Sequence, residues 1–289
     1  MIGAEASGLD RGATIDRLVA DLLRDRFPQL CFGDEVEALW ETGEAGIIRP
    51  RAFVRAQKSL CLDQGVDFVE GVALGVEELG QGVSVRLEGG DRIEASSVLL
   101  APGAFGPTLD LPVPLPKLQM KARTVLLAEV GDDQLARFGS MPAFLYRCPP
   151  HPDFGYVYVL PPIRYPDGRS YIKIGANDSQ DPDLTTGDEL REWFRSEGSS
   201  RSAKGLKETL LQLLPGLAPK SYVTRPCAVT FTATGRPTID RLSKRVFIAV
   251  GGNGSAAKSA DEIGRLAACL VRGEDFSSEF EGVFAARRE

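Results

Sequence analysis

The chain's strongest hydrophobic pattern lies near its end. Five consecutive apolar residues, 246–250, give way to Gly251-Gly252-Asn253-Gly254, and apolar positions then recur at Ile263, Leu266, Ala267, Leu270 and Val271. An unbroken apolar run marks a strand buried on both faces, and the i, i+3, i+4, i+7, i+8 spacing marks an amphipathic helix. Ser259 and Glu262 fit an S-x-x-E capping box, and Gly273 fits a C-cap. The stretch therefore predicts strand, glycine loop, helix. The helix's unpaired N–H groups and positive dipole end would face the loop and suit an anionic or electron-rich group, with Lys258 adding a full charge beside it. A Gly-x-Gly turn after a strand is nonetheless common. A dinucleotide site needs a whole GxGxxG βαβ unit with an acidic residue about 20 positions on. Only residues 274–289 follow Gly273, too few for another crossover.

Upstream, the same periodicities predict an α/β order. Residues 14–27 place Ile15, Leu18, Val19, Leu22 and Leu23 on one helical face. Pro50 suits the first position of a second helix, with Phe53, Val54, Leu60 and Cys61 as its apolar face and Gly65 as its stop. Residues 66–69 predict a short strand. Alternation over 83–87 and 92–95 around Gly89-Gly90 predicts a hairpin, and 97–101 (SVLLA) a buried strand. Prolines 107, 112, 114 and 116 mark a boundary. Beyond it, alternating strands are expected at 123–130, 144–147, 154–160, 171–174 and 222–231, with a turn at Pro166-Asp167-Gly168 and helices at 187–196 and roughly 203–214. Thr186 and Glu189 fit a second capping box. The domain expectation is an antiparallel substrate domain, 113–234, inserted into an α/β domain formed by 43–112 and 235–289. A helical segment, 1–42, would belong to the substrate side.

Composition narrows the partners. At 43% hydrophobic and 26% charged residues, the chain reads as an ordinary globular protein. A net charge of −6 without a basic cluster argues against nucleic acid or an anionic membrane. No run reaches the roughly 18 apolar residues of a membrane span. The first residues lack the basic and apolar regions of a signal peptide, so a cytoplasmic location is expected. Five scattered cysteines (31, 61, 148, 227 and 269) suit a reducing compartment. The single histidine, His151, lies in a proline-rich loop and reads as a surface residue. One histidine leaves no metal site and no Ser-His-Asp triad to expect.

Two side chains stand out for chemistry. Lys173 sits in an alternating strand between Tyr171 and Gly175, in a hairpin whose other arm carries Tyr156 and Tyr158. A lysine on a core-facing position is costly unless paired or functional, and burial would lower its pKa. The plain alternative is an ordinary lysine on a solvated face. Cys227 shares a strand with Val229 and Phe231, where an inert core thiol is the plain alternative. Asn177 and Asp178 read most simply as the start of a turn.

Together these features resemble the FAD-dependent amine oxidoreductases of the D-amino-acid oxidase superfamily, most closely the monomeric sarcosine oxidase / N-methyl amino acid oxidase branch. Gly46-Ile-Ile-Arg-Pro50 followed by Gly65-Val-Asp-Phe68 is similar to the family's G-x-x-x-P … G-V-x-F segment. Ser97-Val-Leu-Leu-Ala-Pro-Gly103-Ala-Phe105 resembles its VVLAAGAW strand and loop. Cys227, thirteen residues before Asp240, matches the cysteine that bonds the flavin in the sarcosine oxidase branch. Gly251, Gly252, Asn253, Gly254 and Lys258 match the flavin-ring loop, whose lysine holds the substrate carboxylate. Tyr158-Val-Leu-Pro161 and Lys173-Ile-Gly175 look like the substrate tyrosine and the oxygen-activating lysine.

The resemblance implies an α/β plus α+β fold: a glutathione-reductase-type FAD-binding domain with an inserted antiparallel-sheet substrate domain. It implies FAD as cofactor, covalently held through Cys227, and oxidation of a small amine or N-methyl amino acid to the imine. Catalytic roles would fall to Lys173, Tyr158 and Lys258, and cofactor contacts to Cys227, Gly103, Gly251, Gly252, Asn253 and Gly254. The sequence departs from the family at three places. The opening strand, GxGxxG turn and helix that bind the FAD pyrophosphate are not in it, so the FAD-binding domain is expected to be incomplete and the chain alone to bind little or no flavin. The missing strands would lie between 66–69 and 97–101, exposing strand edges. Asn177 replaces a frequent histidine, and Pro102 interrupts the usual Ala-Ala-Gly. Three readings follow: a flavoenzyme part completed by an N-terminal segment or another chain, a D-amino-acid dehydrogenase-like relative passing electrons to another acceptor, and a flavin-free remnant that binds a small carboxylate or a protein partner.

Overall fold

The computed structural model describes residues 6, 8–10, 12–43, 45–147, 149–274, 280 and 282–286. In chain order the strands are β1 Ile15–Leu18, β2 Ala38–Glu41, β3 Ala73–Glu78, β4 Val83–Leu87, β5 Arg92–Ala95, β6 Val98–Leu100, β7 Leu118–Val130, β8 Phe144–Tyr146, β9 Phe154–Arg164, β10 Ser170–Asp178, β11 Ser221–Thr232, β12 Thr238–Arg241 and β13 Val246–Val250. The helices are α1 Ala20–Arg26, α2 Pro50–Asp63, α3 Asp132–Phe138, α4 Gly187–Arg195, α5 Ser200–Leu213 and α6 Ala260–Arg272. Two compact units emerge. The first comprises residues 1–47, 123–180 and 196–227, the second 48–122, 181–195 and 228–289. The mixed architecture expected from the sequence, α/β elements together with antiparallel sheet, is present.

The first unit is built on the sheet ordered β11-β7-β10-β9-β8. Strict alternation sends Leu126, Ala128 and Val130 of β7, Val157 and Val159 of β9, and Ile172 and Ile174 of β10 to one face. There they pack against Leu206, Leu210 and Leu213 of α5. Ser199 caps α5 by accepting a bond from the Ser202 N–H, so the helix begins about three residues earlier than its apolar spacing predicted. The helix expected over 14–27 is not formed as one piece. Residues 15–18 pair instead with β2, Ile15 opposite Glu41 and Leu18 opposite Ala38, and only Ala20–Arg26 is helical. Leu18, Leu23 and Phe27 still reach the core, so burial was legible while pairing overrode the helical period. His151 is not a plain surface residue: its ring stacks on Phe154 at 4.0 Å between centroids, in space left by Gly205.

The second unit holds a three-stranded sheet, β12-β13-β6, and the meander β3-β4-β5. β13 runs antiparallel to β12 and parallel to β6, with Ile248 opposite Leu100. Val246, Ile248 and Val250 pack with Val76 and Val83 of the meander on one face. Ala249 and Ile239 pack with Leu266 and Ala267 of α6 on the other. β13 is thus apolar on both sides, as its unbroken pattern required. The hairpin at Gly89-Gly90 joins β4 to β5. Thr186 and Glu189 form their capping box at α4, each side chain meeting the other's N–H at 3.1 Å. Two expectations fail here. The 66–69 segment forms no strand, because none of the described residues pairs with it. The face of α2 expected to be buried is not: no residue of α2 is buried, and Val54 is 63% exposed.

Candidate functional site

The register of the antiparallel sheet assembles a polar face opposite the core of the first unit. Lys173 pairs with Leu127 on β7 and Leu160 on β9, and Gly175 pairs with Val125 and Tyr158. Because Ile172 and Ile174 point into the core, Lys173, Gly175 and Asn177 point the other way, beside Tyr158. The Tyr158 ring folds across the backbone of Gly175. A Cβ at Gly175 would lie 2.5–2.7 Å from its Oη, Cζ and Cε1 atoms, so only glycine lets the ring lie there. The Lys173 ammonium stands 5.5 Å from the centre of the same ring, a cation–π distance.

The electrostatics of this face are unusual for a sheet surface. Burial lowers the Lys173 pKa from its ordinary value, and the neighbouring Cys227 partly counters that shift. Burial also raises the Tyr158 phenol, with Cys227, Tyr156 and Tyr165 pushing the same way. Cys227 is therefore close enough to influence both groups, and the structure brings Lys173, Tyr158 and Cys227 together within the first unit. Lys173 is half-buried on a face it shares with an aromatic ring. Next along the strand, Arg123, only 8% exposed, donates to Asn177 Oδ1 at 2.8 Å. Asn177 and Asp178 lie within β10 rather than opening a turn. Asp178 points to the core side, where it accepts bonds from Arg201 at 2.6 Å, Ser202 at 2.8 Å and the Gln180 N–H at 2.9 Å. The Arg123–Asn177 pair escaped the sequence reading; an arginine inside an otherwise apolar alternating strand was its only signal.

The remaining expected site residues lie in the second unit. Gly103 and Gly251 follow the carboxyl ends of the adjacent parallel strands β6 and β13. In open parallel sheets that edge is where ligands bind. Gly251, Asn253 and Gly254 all have positive φ, 78°, 49° and 74°. Asn253 pins the loop: its Nδ2 donates to the Gly251 carbonyl at 2.5 Å, its Oδ1 accepts from Thr232 N–H at 3.0 Å, and its own N–H reaches the Thr230 carbonyl at 2.9 Å. Gly251 has a packing reason as well, since a Cβ there would run into the Thr232 methyl group. Lys258 is exposed and sits in a 3-10 turn, Ala256–Ser259, that leads into α6. The capping box expected at Ser259 and Glu262 does not form. Ser259 makes no capping bond, and Glu262 binds Arg265 instead. Gly273 does cap the helix, at φ 74°. Beside the loop, a cavity of about 410 Å³ is lined by Val113, Leu115, Lys117, Thr232, Thr234 and Leu242. That volume falls within the ordinary range for small-molecule sites.

These features can be set against a flavin. Within the first unit, the half-buried cation, the aromatic ring and the nearby thiol suit its ring end. No GxGxxG turn occurs in the sequence, so the pyrophosphate end has no such cradle among these residues. Among the described residues there is no cluster able to hold a metal ion, and no helix is long and apolar enough to cross a membrane.

A family profile described as FAD dependent oxidoreductase matches residues 3–270. Solved structures share the fold. Fructosyl amine: oxygen oxidoreductase (Amadoriase I) from Aspergillus fumigatus superimposes with a TM-score of 0.74 at 18% identity, covering 96% of this chain and 64% of its own. A thermally stable mutant of fructosyl peptide oxidase gives 0.79 at 18% identity, covering 99% and 70%. Iminodiacetate oxidase from Chelativorans sp. BNC1 gives 0.71 at 19% identity, covering 99% and 70%. The chain thus spans about two thirds of the length of these proteins, and at such identities the likeness is one of fold. No curated protein matches the chain.

Proposed function

Because the chain belongs to the FAD dependent oxidoreductase family, matched over residues 3–270, we propose that it contributes the substrate side and ring-facing residues of an amine oxidase of the sarcosine oxidase type. The observation that carries this reading is the pairing of Lys173 with the Tyr158 ring on one sheet face, with Cys227 near enough to act electrostatically on both. The substrate would be a small secondary amine bearing a carboxylate, the chemical class to which iminodiacetate also belongs. Oxidation would yield the imine, and oxygen would be the final acceptor.

Each residue has a physical task in this reading. Lys258, exposed on its 3-10 turn, offers a point charge to the substrate carboxylate. Tyr158 supplies a flat wall, with its phenol held protonated by burial. Lys173 places a desolvated cation where negative charge would develop during electron transfer, and preorganised charge in a dry site is the strongest form of such stabilisation. Cys227 would hold the flavin ring covalently. Gly103 and the Gly251–Gly254 loop would border it with N–H groups, aided by the positive end of α6. Bound flavin would supply a two-electron acceptor for the substrate C–N bond. The phosphate end would need a further polypeptide segment, from the same protein or a partner chain.

Oxygen consumption with sarcosine, iminodiacetate and proline, measured on protein supplied with FAD and that segment, tests the proposal. Turnover that falls at least tenfold in Lys173→Met is the expected result. Absence of flavin colour and turnover with every amine would favour the flavin-free carboxylate-binding alternative. Turnover with an artificial acceptor but not with oxygen would favour the dehydrogenase.

A further inference from the structure

β12 carries a threonine that the packing around it leaves unused. Thr238 pairs with Val250 and so shares the sheet face that packs toward the meander, whereas Ile239 meets α6 on the other face. Thr238 is only 5% exposed, yet its hydroxyl bonds to no other described group. Among the described residues the fully enclosed side-chain atom without a partner is the Trp40 indole nitrogen. The Thr238 oxygen is therefore reached from the cavity of about 410 Å³ that the residue lines.

The rest of that cavity divides into an apolar wall and a charged rim. Val113, Leu115 and Leu242 supply the wall, and all three belong to the apolar cluster on the meander side of the sheet. Prolines 112, 114 and 116 fix the backbone of the 113–117 segment, so little chain entropy is left to lose on binding. Thr232 and Thr234 donate to the Arg236 carbonyl at 2.6 and 3.3 Å, which commits them to the turn before β12. Lys117 is exposed, is the one charged side chain among the described lining residues, and makes no ion pair or hydrogen bond with any described group. The nearby Asp240 carboxylate is taken up by the N–H groups of Arg241 and Ala286, at 2.7 and 2.8 Å.

We propose that this cavity binds a small monocarboxylic acid with an apolar body. The body lies against Val113, Leu115 and Leu242. The carboxylate accepts a bond from the Thr238 hydroxyl and meets the Lys117 ammonium. A phosphate fits less well, because the described lining offers one ammonium and no arginine fork. Within the second unit the cavity is a separate site, since neither Gly103, Lys258 nor the Gly251–Gly254 loop is among its described walls. It therefore stands whether or not the flavin reading does. Thr232 joins the two places, its N–H donating to Asn253 Oδ1 at 3.0 Å, so an occupant that firms the turn also firms the loop.

The probe is phenylbutyrate, titrated calorimetrically into the full chain beside phenylbutanol, which keeps the apolar body and lacks the charge. Saturable one-to-one binding of the acid is expected, with amides within 113–118 and 232–238 slowed in hydrogen exchange. Thr238→Val keeps the side-chain shape and should weaken the acid roughly tenfold, the worth of a hydrogen bond to a charged group. Lys117→Met should weaken it about two- to fivefold at low salt, and the difference should fade at high salt, as an exposed charge requires. Neither variant should melt below the parent, because neither side chain gives up a partner. No saturable binding, equal binding of acid and alcohol, or binding unmoved by both substitutions overturns the proposal. Binding lost in Lys258→Met but kept in Thr238→Val and Lys117→Met also overturns it, by placing the acid at the glycine loop. A lower melting temperature in Thr238→Val would do the same, by showing the hydroxyl already partnered.

Discussion

Replacing Gly175 by alanine separates a built site from an ordinary sheet surface. Gly175 has no positive φ, so alanine is conformationally acceptable. In an open strand position it would stabilise by about 0.4–1 kcal/mol by restricting the unfolded chain. Here the added Cβ meets Tyr158 at 2.5 Å from Oη, 2.6 Å from Cζ and 2.7 Å from Cε1. Those distances are 0.7–0.9 Å short of ordinary contact at 3.4 Å. The obstruction is the ring itself, not the flexible tip of a chain, and the ring is held by packing. Overpacking of this kind costs about 1–3 kcal/mol, so the sign of the substitution reverses. At roughly 2–4 °C per kcal/mol for a chain of this size, a fall in melting temperature of several degrees is expected by circular dichroism. A double-mutant cycle with Tyr158→Ala isolates the cause, since without the ring Gly175→Ala should regain its small stabilising effect. A Gly175→Ala variant that melts at or above the parent temperature, with Tyr158 intact, would refute the placement of Tyr158.

Three further perturbations test separate parts. Asp178→Asn should cost about 1–3 kcal/mol near neutral pH, less than a fully buried pair because Arg201 is 44% exposed. Burial pushes this carboxyl upward, but bonds from Arg201, the Gln180 N–H and Ser202 outweigh it and hold the pKa low. Its stabilisation is thus complete above the ordinary aspartate value near 3.9 and is lost as pH falls below it; the melting difference between parent and variant should shrink through that window and persist unchanged above it. Lys173→Met should raise the melting temperature at pH 7, because burial lowers the lysine pKa and the folded chain carries a desolvated charge. Between that lowered value and the ordinary one near 10.4 the unfolded chain binds more protons, so the parent gains stability as pH rises and the variant's advantage should shrink; a variant less stable at every pH would contradict the desolvated placement. Asn253→Ala should destabilise more than Asn253→Gly, by about 1 kcal/mol in a urea titration, because alanine keeps the cost of the φ of 49° while both lose the side-chain bonds; the reverse order would remove the left-handed loop.

The sequence carried the local signals well and the long-range ones poorly. Val246–Val250 and α6 were legible because an apolar run and a 3.6-residue period persist over whole elements. The capping box at Ser259 failed because the 3-10 turn before α6 draws Ser259 toward Ala256 and Arg265 competes for Glu262. Residues 15–18 carry apolar side chains at a spacing that serves strand and helix alike, and the partner that decided the matter, β2, lies some twenty residues away. Residues 66–69 carry the composition of a strand and α2 the spacing of a half-buried helix, but among the described residues the first finds no strand to pair with and the second buries no side chain. For the site, Lys173 and Tyr158 could be put in one hairpin from alternation alone, yet the ring over Gly175 depends on register set by two flanking strands. Arg123 with Asn177 depends on it too. The cavity beside Thr232 left no trace in the pattern, since its walls come from a proline-rich segment and a turn far apart in sequence.

The central claim is that Tyr158 and Lys173, with Cys227 nearby, form a face suited to a flavin ring. Titration of the chain with lumiflavin, which has the ring but no phosphates and so asks nothing of the absent cradle, addresses it directly. Saturable quenching of lumiflavin fluorescence, weakened at least tenfold in Tyr158→Ala and clearly altered in Lys173→Met, is the result expected. Quenching that never saturates, or that is equal in the parent and both variants, would contradict the account.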